Sequence, residues 1–471
     1  MSERDITTII NHADEVSLQE KLKVVWKLST PSILAQISEI MMEYIDAAMV
    51  GVLGATASAS IGLVSSSTWL VGGIVLSLSN GFSVQVAHAV GAKNAKLSSK
   101  IFKKSLMPSL IISCVIGLIS FICGFYLPKW LGADVSLYQE STAYFTVFSL
   151  FLPARMMNYI CLSMLRCTGN MKTPSILSTL MCIFDVIFNY FFIFPYTNIS
   201  LFGFNLTIPG MNLGVLGAQL GTSLAVVVCM ILAFIECKKS MYLELRKEDS
   251  YLPEKEIMQE ALRIGGPMSI QQVTLSLAQV VSTRIVAPLG TIAIAANSFA
   301  VTAESICYMP GYGISSAATT MVGQAYGANQ KRSAKSFAWL SVITGMVVMG
   351  LMALLMYFIS PTIFSFLTPI KEIQELGVNV LRIELFAEPL FGASIVCSGA
   401  LCGAGDTFVP ALLNLISIWG IRIPVSYFLC QKIGLYGAWI AMCVELCIRG
   451  ILFLIRLYRG NWMKKIEASE V

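Results

Sequence analysis

The sequence predicts an all-α membrane protein of about twelve transmembrane helices, arranged as two parallel, pseudo-symmetric six-helix lobes. Three observations predict it. Hydrophobic residues make up 56% of the 471 positions and charged residues only 13%, with a mean hydropathy of +0.74, whereas soluble chains carry about a quarter charged residues. Apolar stretches of about 20 residues, the length that crosses the hydrocarbon core of a bilayer as a helix, recur about twelve times. The glycine and proline pattern of the first half returns in the second at one fixed shift.

In chain order, the apolar stretches fall at about 28 to 50, 58 to 82, 105 to 126, 141 to 164, 174 to 195 and 213 to 236, then at about 262 to 287, 294 to 319, 338 to 360, 376 to 400, 409 to 430 and 435 to 456. In lipid the backbone must satisfy its own polar groups, so such spans are helices or barrel strands, and runs this long without alternation are not strands. The first 27 residues are polar and of mixed charge, without the apolar core and small-residue cleavage site of a signal peptide, so no cleavage is expected. The stretch from Lys238 to about residue 261 is rich in Lys and Glu and reads as a linker between an N-lobe (1–237) and a C-lobe (262–471).

A shift of 236 residues superimposes the halves without gaps from Pro31 (Pro267) to Pro174 (Pro410). Between these ends it pairs Leu53 and Gly54 with Leu289 and Gly290, Gly91 and Ala92 with Gly327 and Ala328, Pro153 with Pro389, and Gly169 with Gly405. Beyond Pro174 the shift becomes 220, pairing GVLGA at Gly214 with GLYGA at Gly434, because the first half carries an extra loop around YTNISLFGFNLTIPGMN. Six spans per half is an even number, so both halves enter the membrane in the same orientation, related by an axis along the membrane normal. Two similar lobes about a central cleft can rock against each other, which is the architecture of a transporter rather than an enzyme.

The net charge of +5 would suit nucleic acid, but its distribution argues against such a partner. Of the 32 Lys and Arg, 24 lie at the termini and in even-numbered connections, and the odd-numbered connections hold only Lys129, Lys371 and Lys432. The positive-inside rule then places both termini in the cytoplasm. None of the thirteen cysteines forms a CxxC pair and most lie inside apolar spans, where they read as small packing residues. The chain has no HExxH, GxSxG or GxxxxGK[ST] sequence, so neither an intramembrane enzyme nor a cofactor is expected.

An ionised side chain at mid-membrane costs at least about 2.5 to 3.5 kcal/mol and has to face a cavity or a partner. The first span carries Gln36, Glu39, Glu43 and Asp46 at spacings of 3, 4 and 3, one helical face. Three carboxylates within about two turns repel one another, so the cluster wants a proton or a cation. The fifth span adds Asp185 and Asn189 one turn apart, and carboxylate with amide oxygens suits Na⁺ or the carriage of H⁺. A plain interhelical hydrogen bond from Asp185 is the alternative. Under the repeat these acids have no counterparts: Asp46, Glu43, Glu39 and Asp185 map onto Ser282, Gln279, Leu275 and Ile421. The second half offers instead a neutral polar stripe (Gln272, Ser276, Gln279, Thr283), Glu304 four residues before Tyr308, and Glu384 and Glu388 on the tenth span. Glu304, Gln272, Gln279, Tyr308 and Glu388 are therefore candidate substrate contacts. Pairing of Glu304 with Arg284, and a structural role for Glu388 beside the kink expected at Pro389, are the alternatives. Glu445 and Arg449, one turn apart, read as a self-neutralising pair.

Several duplicated segments carry a family resemblance. AHAVGAKNAK and GYGISSAATTMVGQAYGANQKRSAK end the second and eighth spans, LRCTGNMKTPSIL and LCGAGDTFVPALL follow the fourth and tenth, and YIDAAMVGVLG and ESICYMPGYG lie within the first and eighth. In order and spacing these resemble the multidrug and toxic compound extrusion (MATE) family over essentially the whole chain. The resemblance implies a monomeric, multi-pass protein of the bacterial inner membrane that contacts lipids and exports organic, often cationic, compounds in exchange for H⁺ or Na⁺. It also implies a cation site at Asp46, Asp185 and Asn189. Two positions depart from the family: Glu43 stands where Asn is frequent, and Leu275 occupies the region of a seventh-span Glu found in one branch, so the resemblance carries no Na⁺ site into the second half. A lipid-linked oligosaccharide flippase of the same superfamily is the alternative function.

Overall fold

The computed structural model describes residues 7–10, 16–201, 204–246 and 250–463. Twelve helical spans run through it. In the first lobe they are α1 (Leu18–Gly51), α2 (Ala55–Gly91), α3 (Ala95–Gly124), α4 (Tyr138–Leu150 with Leu152–Cys167), α5 (Lys172–Ile193) and α6 (Gly214–Lys239). In the second they are α7 (Lys255–Val286), α8 (Thr291–Gly327), α9 (Lys331–Leu367), α10 (Lys371–Leu385 with Glu388–Gly403), α11 (Phe408–Ile433) and α12 (Leu435–Arg459). Eight of these are single helices long and apolar enough to cross a membrane, and α4 and α10 reach that standard as bent pairs, at 49° and 57°. The remaining two, α1 and α7, are long enough but carry the polar faces seen in the sequence. Both are the first helix of a lobe, where a polar face can turn toward a central cleft instead of lipid.

The repeat seen in the residues is a repeat of backbone. α2 and α8 are both 37 residues long and start and stop at equivalent positions. Three pairs of positive-φ residues are related by the same shift: Gly54 (113°) with Gly290 (95°), Lys93 (55°) with Asn329 (57°), and Gly169 (91°) with Gly405 (80°). Beyond Pro174 the shift of 220 pairs Gly214 (56°) with Gly434 (62°). The bends of α4 and α10 precede Pro153 and Pro389, which sit at the second position of the following segment, where a missing N–H costs nothing.

The symmetry breaks in two places. The extra loop of the first half is a two-stranded antiparallel hairpin, β1 (Pro195–Leu201) and β2 (Phe204–Met211), pairing Leu201 with Phe204 at its tip. And α11 carries a π-helical turn at Ile418–Arg422, which includes the position equivalent to Asp185. Helices also outrun the apolar stretches: α1 starts at Leu18 rather than about 28, fixed by a Ser17–Glu20 capping box, because backbone hydrogen bonding continues after hydrophobicity fades. The polar stretch 238–261 is likewise helical at its two ends, since α6 continues to Lys239 and α7 starts at Lys255. What lies between is fastened to α3, where Lys103 Nζ donates to the Arg246 carbonyl (2.6 Å) and Lys100 and Lys104 both reach Glu254 (2.9 and 2.7 Å).

The lobes meet mainly through exchanged packing, with α1 lying on α8 and α7 on α2. The closest approaches gather toward the end of the bundle where α1 starts and α12 stops. Gly91 abuts the Gln324 carbonyl, Gly327 abuts the His88 carbonyl and Gly81 abuts Ala261. Gln324 Nε2 donates to the Cys167 carbonyl (2.9 Å), and His88 Nε2 lies 2.7 Å from the Gly403 carbonyl. Buried Ile10, Val24, Val25 and Leu28 of the first lobe join a core built from α8, α9, α10 and α12. Toward the other end, Gly54, Gly62 and Gly290 face open space.

Candidate functional site

In α1 the 3.6-residue period puts Glu39, Glu43 and Asp46 on one face, and α5 packs against that helix. Asp46 is half-buried, while Asp185 and Asn189 are completely sealed from solvent. The Asn189 amide bridges the two acids: Nδ2 donates to Asp46 Oδ1 at 2.7 Å and to Asp185 Oδ2 at 3.1 Å. Asp185 Oδ1 and Asn189 Oδ1, both buried, have no partner. Unpartnered buried oxygens next to two carboxyls cost free energy unless something binds there, and a proton or a small hard cation is what such a donor set accepts.

The cluster depends on a close approach that the sequence does not announce. α6 passes α5 at Gly221, whose missing side chain leaves room for the Asn189 amide; a Cβ there would fall 2.0 Å from Oδ1. Its only trace in the sequence is a glycine inside an apolar run with no turn to explain it.

The other first-lobe acids are placed differently. Glu43 is exposed one turn from Asp46, and Glu39, half-buried, is opposed electrostatically by Arg166 and Arg155 of α4. The structure thus brings Asp46, Asp185 and Asn189 together, leaves Glu43 exposed, and sets Glu39 near the arginines of α4.

In the second lobe, Gln272 lies at the lobe contact against Gly73, and Gln279 is exposed. Tyr308 packs edge-on against Tyr312 and Phe391, at 5.9 and 5.8 Å between ring centres. Glu304 (7% exposed) and Glu388 (0%) are sealed inside the lobe. Arg284, the alternative partner for Glu304, is exposed in the last turn of α7, and the cations that act on Glu304 are Arg422 and Arg449. The expected Glu445–Arg449 pair is present at 3.2 Å, with Ser417 donating to Glu445 at 2.7 Å. A cavity of about 560 Å³ lined by His88, Arg263, Tyr326, Asp406 and Arg456 lies at the opposite end of the helices from Asp46 and contains none of the candidate residues.

Two six-helix lobes, with buried acids in one of them, define a membrane transporter. The sequence model of the MatE family matches residues 31–191 and again 267–428, the same 236-residue repeat and more than half the chain, so the chain belongs to that family of efflux transporters. It is similar over its whole length to the probable multidrug resistance protein NorM of Thermotoga maritima, 27% identical with 97% of this chain and 96% of the relative covered. It is 23% identical to the probable multidrug resistance protein YoeA of Bacillus subtilis over 88% of each. Among solved structures, a mutant of the Vibrio cholerae MATE transporter VcmN superimposes with a TM-score of 0.85 (18% identity, 94% of this chain and 99% of that one). The outward-facing conformation of a MATE family multidrug resistance transporter superimposes at 0.82 (19% identity, 94% and 97%).

Proposed function

We propose that this protein sits in a bacterial inner membrane with both termini in the cytoplasm and exports small organic, mainly cationic compounds in exchange for H⁺ or Na⁺ by alternating access. The observation that carries the reading is the Asn189 bridge between Asp46 and Asp185, with two buried oxygens left unpartnered beside it. With the termini in the cytoplasm, the close lobe contacts at Gly81, Gly91 and Gly327 lie on the cytoplasmic side, and Asp46 stands toward the opposite end of α1. An ion arriving from outside neutralises the acid pair; a cationic compound held by the same negative charge then binds less tightly. Exchange follows because the two ligands favour different charge states of one site, and the free energy of one is coupled to that of the other.

The geometry bears on the choice of ion. Asn189 presents its donor nitrogen to both acids, an arrangement a proton can join without rearrangement; Na⁺ requires the amide to rotate so that Oδ1 faces inward. Efflux from proteoliposomes under separately imposed pH and Na⁺ gradients tests the reading. Export driven by one gradient, and lost in Asp46→Asn, supports it; export indifferent to both gradients overturns it. The flippase alternative has no support in the comparisons, and the acids of α1 and α5 disfavour an anionic lipid-linked sugar.

A further inference from the structure

A hydroxyl on α1 crosses to the other lobe beside the acid pair. Tyr44, two residues before Asp46, donates to the Thr302 carbonyl of α8 at 3.0 Å, and the same phenol oxygen lies 3.1 Å from Ser305 Oγ. Ser305 also donates to the Thr302 carbonyl, at 2.7 Å, so three oxygens are drawn together on one turn of α8. Other side-chain bonds between the lobes lie toward the end where α1 starts: Gln85 to the Ile257 carbonyl, Thr320 to the Arg166 carbonyl and Gln324 to the Cys167 carbonyl.

The place of Tyr44 on its helix gives this bond its reach. At 3.6 residues per turn, positions 44 and 46 lie about 200° apart around α1. One face of the helix is therefore tied to α5, by Asn189 Nδ2 donating to Asp46 Oδ1, and the opposite face to α8 of the other lobe. Nearer its start α1 already touches the α8 backbone, where a Cβ on Gly313 would fall 2.6 Å from the Ile33 nitrogen. A helix held in this way cannot shift at Asp46 without moving α8 or breaking the phenol bond.

The internal repeat shows that the fold itself does not require the bond. The shift of 236 carries Tyr44 onto Val280, and Thr302 and Ser305 onto Ser66 and Trp69. Val280 has no hydroxyl to donate, and both it and Trp69 are exposed (48% and 57%). The α1–α8 flank is thus latched where the equivalent α7–α2 flank is not, and the latch belongs to the helix that carries Asp46.

We propose that Tyr44 is a positioning residue for ion-driven exchange: its phenol latches the acid-bearing helix to the C-lobe, so that a change of charge at Asp46 is passed to α8 and to the balance between lobe arrangements. Tyr44 acts through α1 and not by holding the ion, and the proposal rests on the exchange reading above. One net hydrogen bond shifts a two-state balance by about two- to ten-fold, enough to bias the lobes and small enough to break in each cycle.

The test is amide hydrogen exchange, read by mass spectrometry on the full-length protein in lipid nanodiscs at one pH, with Asp46→Asn standing in for a discharged acid. In the parent background Asp46→Asn should alter exchange both in the second half of α1 and in residues 291–305 of α8. In the Tyr44→Phe background, which keeps the ring and removes the hydroxyl, the same substitution should alter α1 alone. Gradient-driven ethidium efflux by Tyr44→Phe in proteoliposomes should slow by about two- to ten-fold, with an unchanged melting temperature showing that the fold is retained. An α8 response of equal size in both backgrounds overturns the latch, as does a parent in which Asp46→Asn alters α1 and leaves α8 unchanged. A parent in which neither helix responds overturns the exchange reading itself, and the latch with it.

Discussion

The backbone of Gly221 lies directly against the side chain of Asn189, so that a Cβ at position 221 would fall 2.0 Å from Asn189 Oδ1 and 2.8 Å from its backbone nitrogen. The bridge between Asp46 and Asp185 is therefore held by three helices, with α6 acting through what it lacks. Gly221→Ala should push Asn189 off both carboxylates. Overpacking of this kind costs about 1 to 3 kcal/mol, small enough for the protein to insert and fold. The expected result is loss of ion-coupled efflux with near-normal membrane abundance, read by dye efflux alongside immunoblotting; normal efflux would show that the bridge is dispensable.

Removing the charge at Asp46 should have a sharper effect. Asp46→Asn keeps the shape and the hydrogen bond from Asn189 but fixes one member of the acid pair in a neutral form, so that the ion has one charge fewer to discharge. Coupled efflux should be abolished while insertion is unaffected. Cells carrying the variant should be as drug-sensitive as cells lacking the protein, and full resistance would refute the coupling role.

The lobe contact rests on a reciprocal pair. Gly91 meets the Gln324 carbonyl and its repeat-mate Gly327 meets the His88 carbonyl, both closer than any Cβ could approach. Gly91→Val should wedge α2 from α8 and shift the population toward the state open at the end where α1 starts and α12 stops. Spin labels on Lys96→Cys and Lys335→Cys, both exposed beside that contact, should then report a longer or broader distance distribution. An unchanged distribution would mean that the contact does not gate.

The connection between the lobes should be pH-sensitive in one direction. Lys104, and then Lys100, hold the Glu254 carboxyl below the usual carboxylate range. A depressed carboxylate stabilises its docked state above the unfolded value of about 4.3, and the stabilisation is lost as pH falls through the lower, folded value. Limited proteolysis between α6 and α7 should therefore speed up only below about pH 4, and Glu254→Gln should remove that pH dependence. The effect is small, since pairs this open to solvent contribute little.

Much of this architecture is legible in the residues because it is local. Hydropathy places the spans, and the shift of 236 places the turns: Gly54 and Gly290, Lys93 and Asn329, and Gly169 and Gly405 adopt positive φ in equivalent pairs. Pro153 and Pro389 mark the bends of α4 and α10 for the same reason, since a ring and a missing N–H act wherever they stand. That Asp46 shares a face with Glu39 and Glu43 follows from helical periodicity alone. In the sequence the hairpin Pro195–Met211 shows only as an inserted loop, although FNLTI at 204–208 carries the apolar–polar alternation of a strand.

What the sequence by itself determined is a duplicated helical bundle with acids on the first face of the N-lobe. What only the tertiary structure decided is which acids meet. Asn189 lies 143 positions from Asp46, and nothing along either helix states that α5 turns that amide toward α1 or that Gly221 leaves room for it. Likewise Glu304 and Glu388 look as available as Gln279 in the sequence, yet they are sealed inside the C-lobe while Gln279 is exposed. Periodicity fixes the face of one helix; the direction that face points is set by packing against helices far away in the chain.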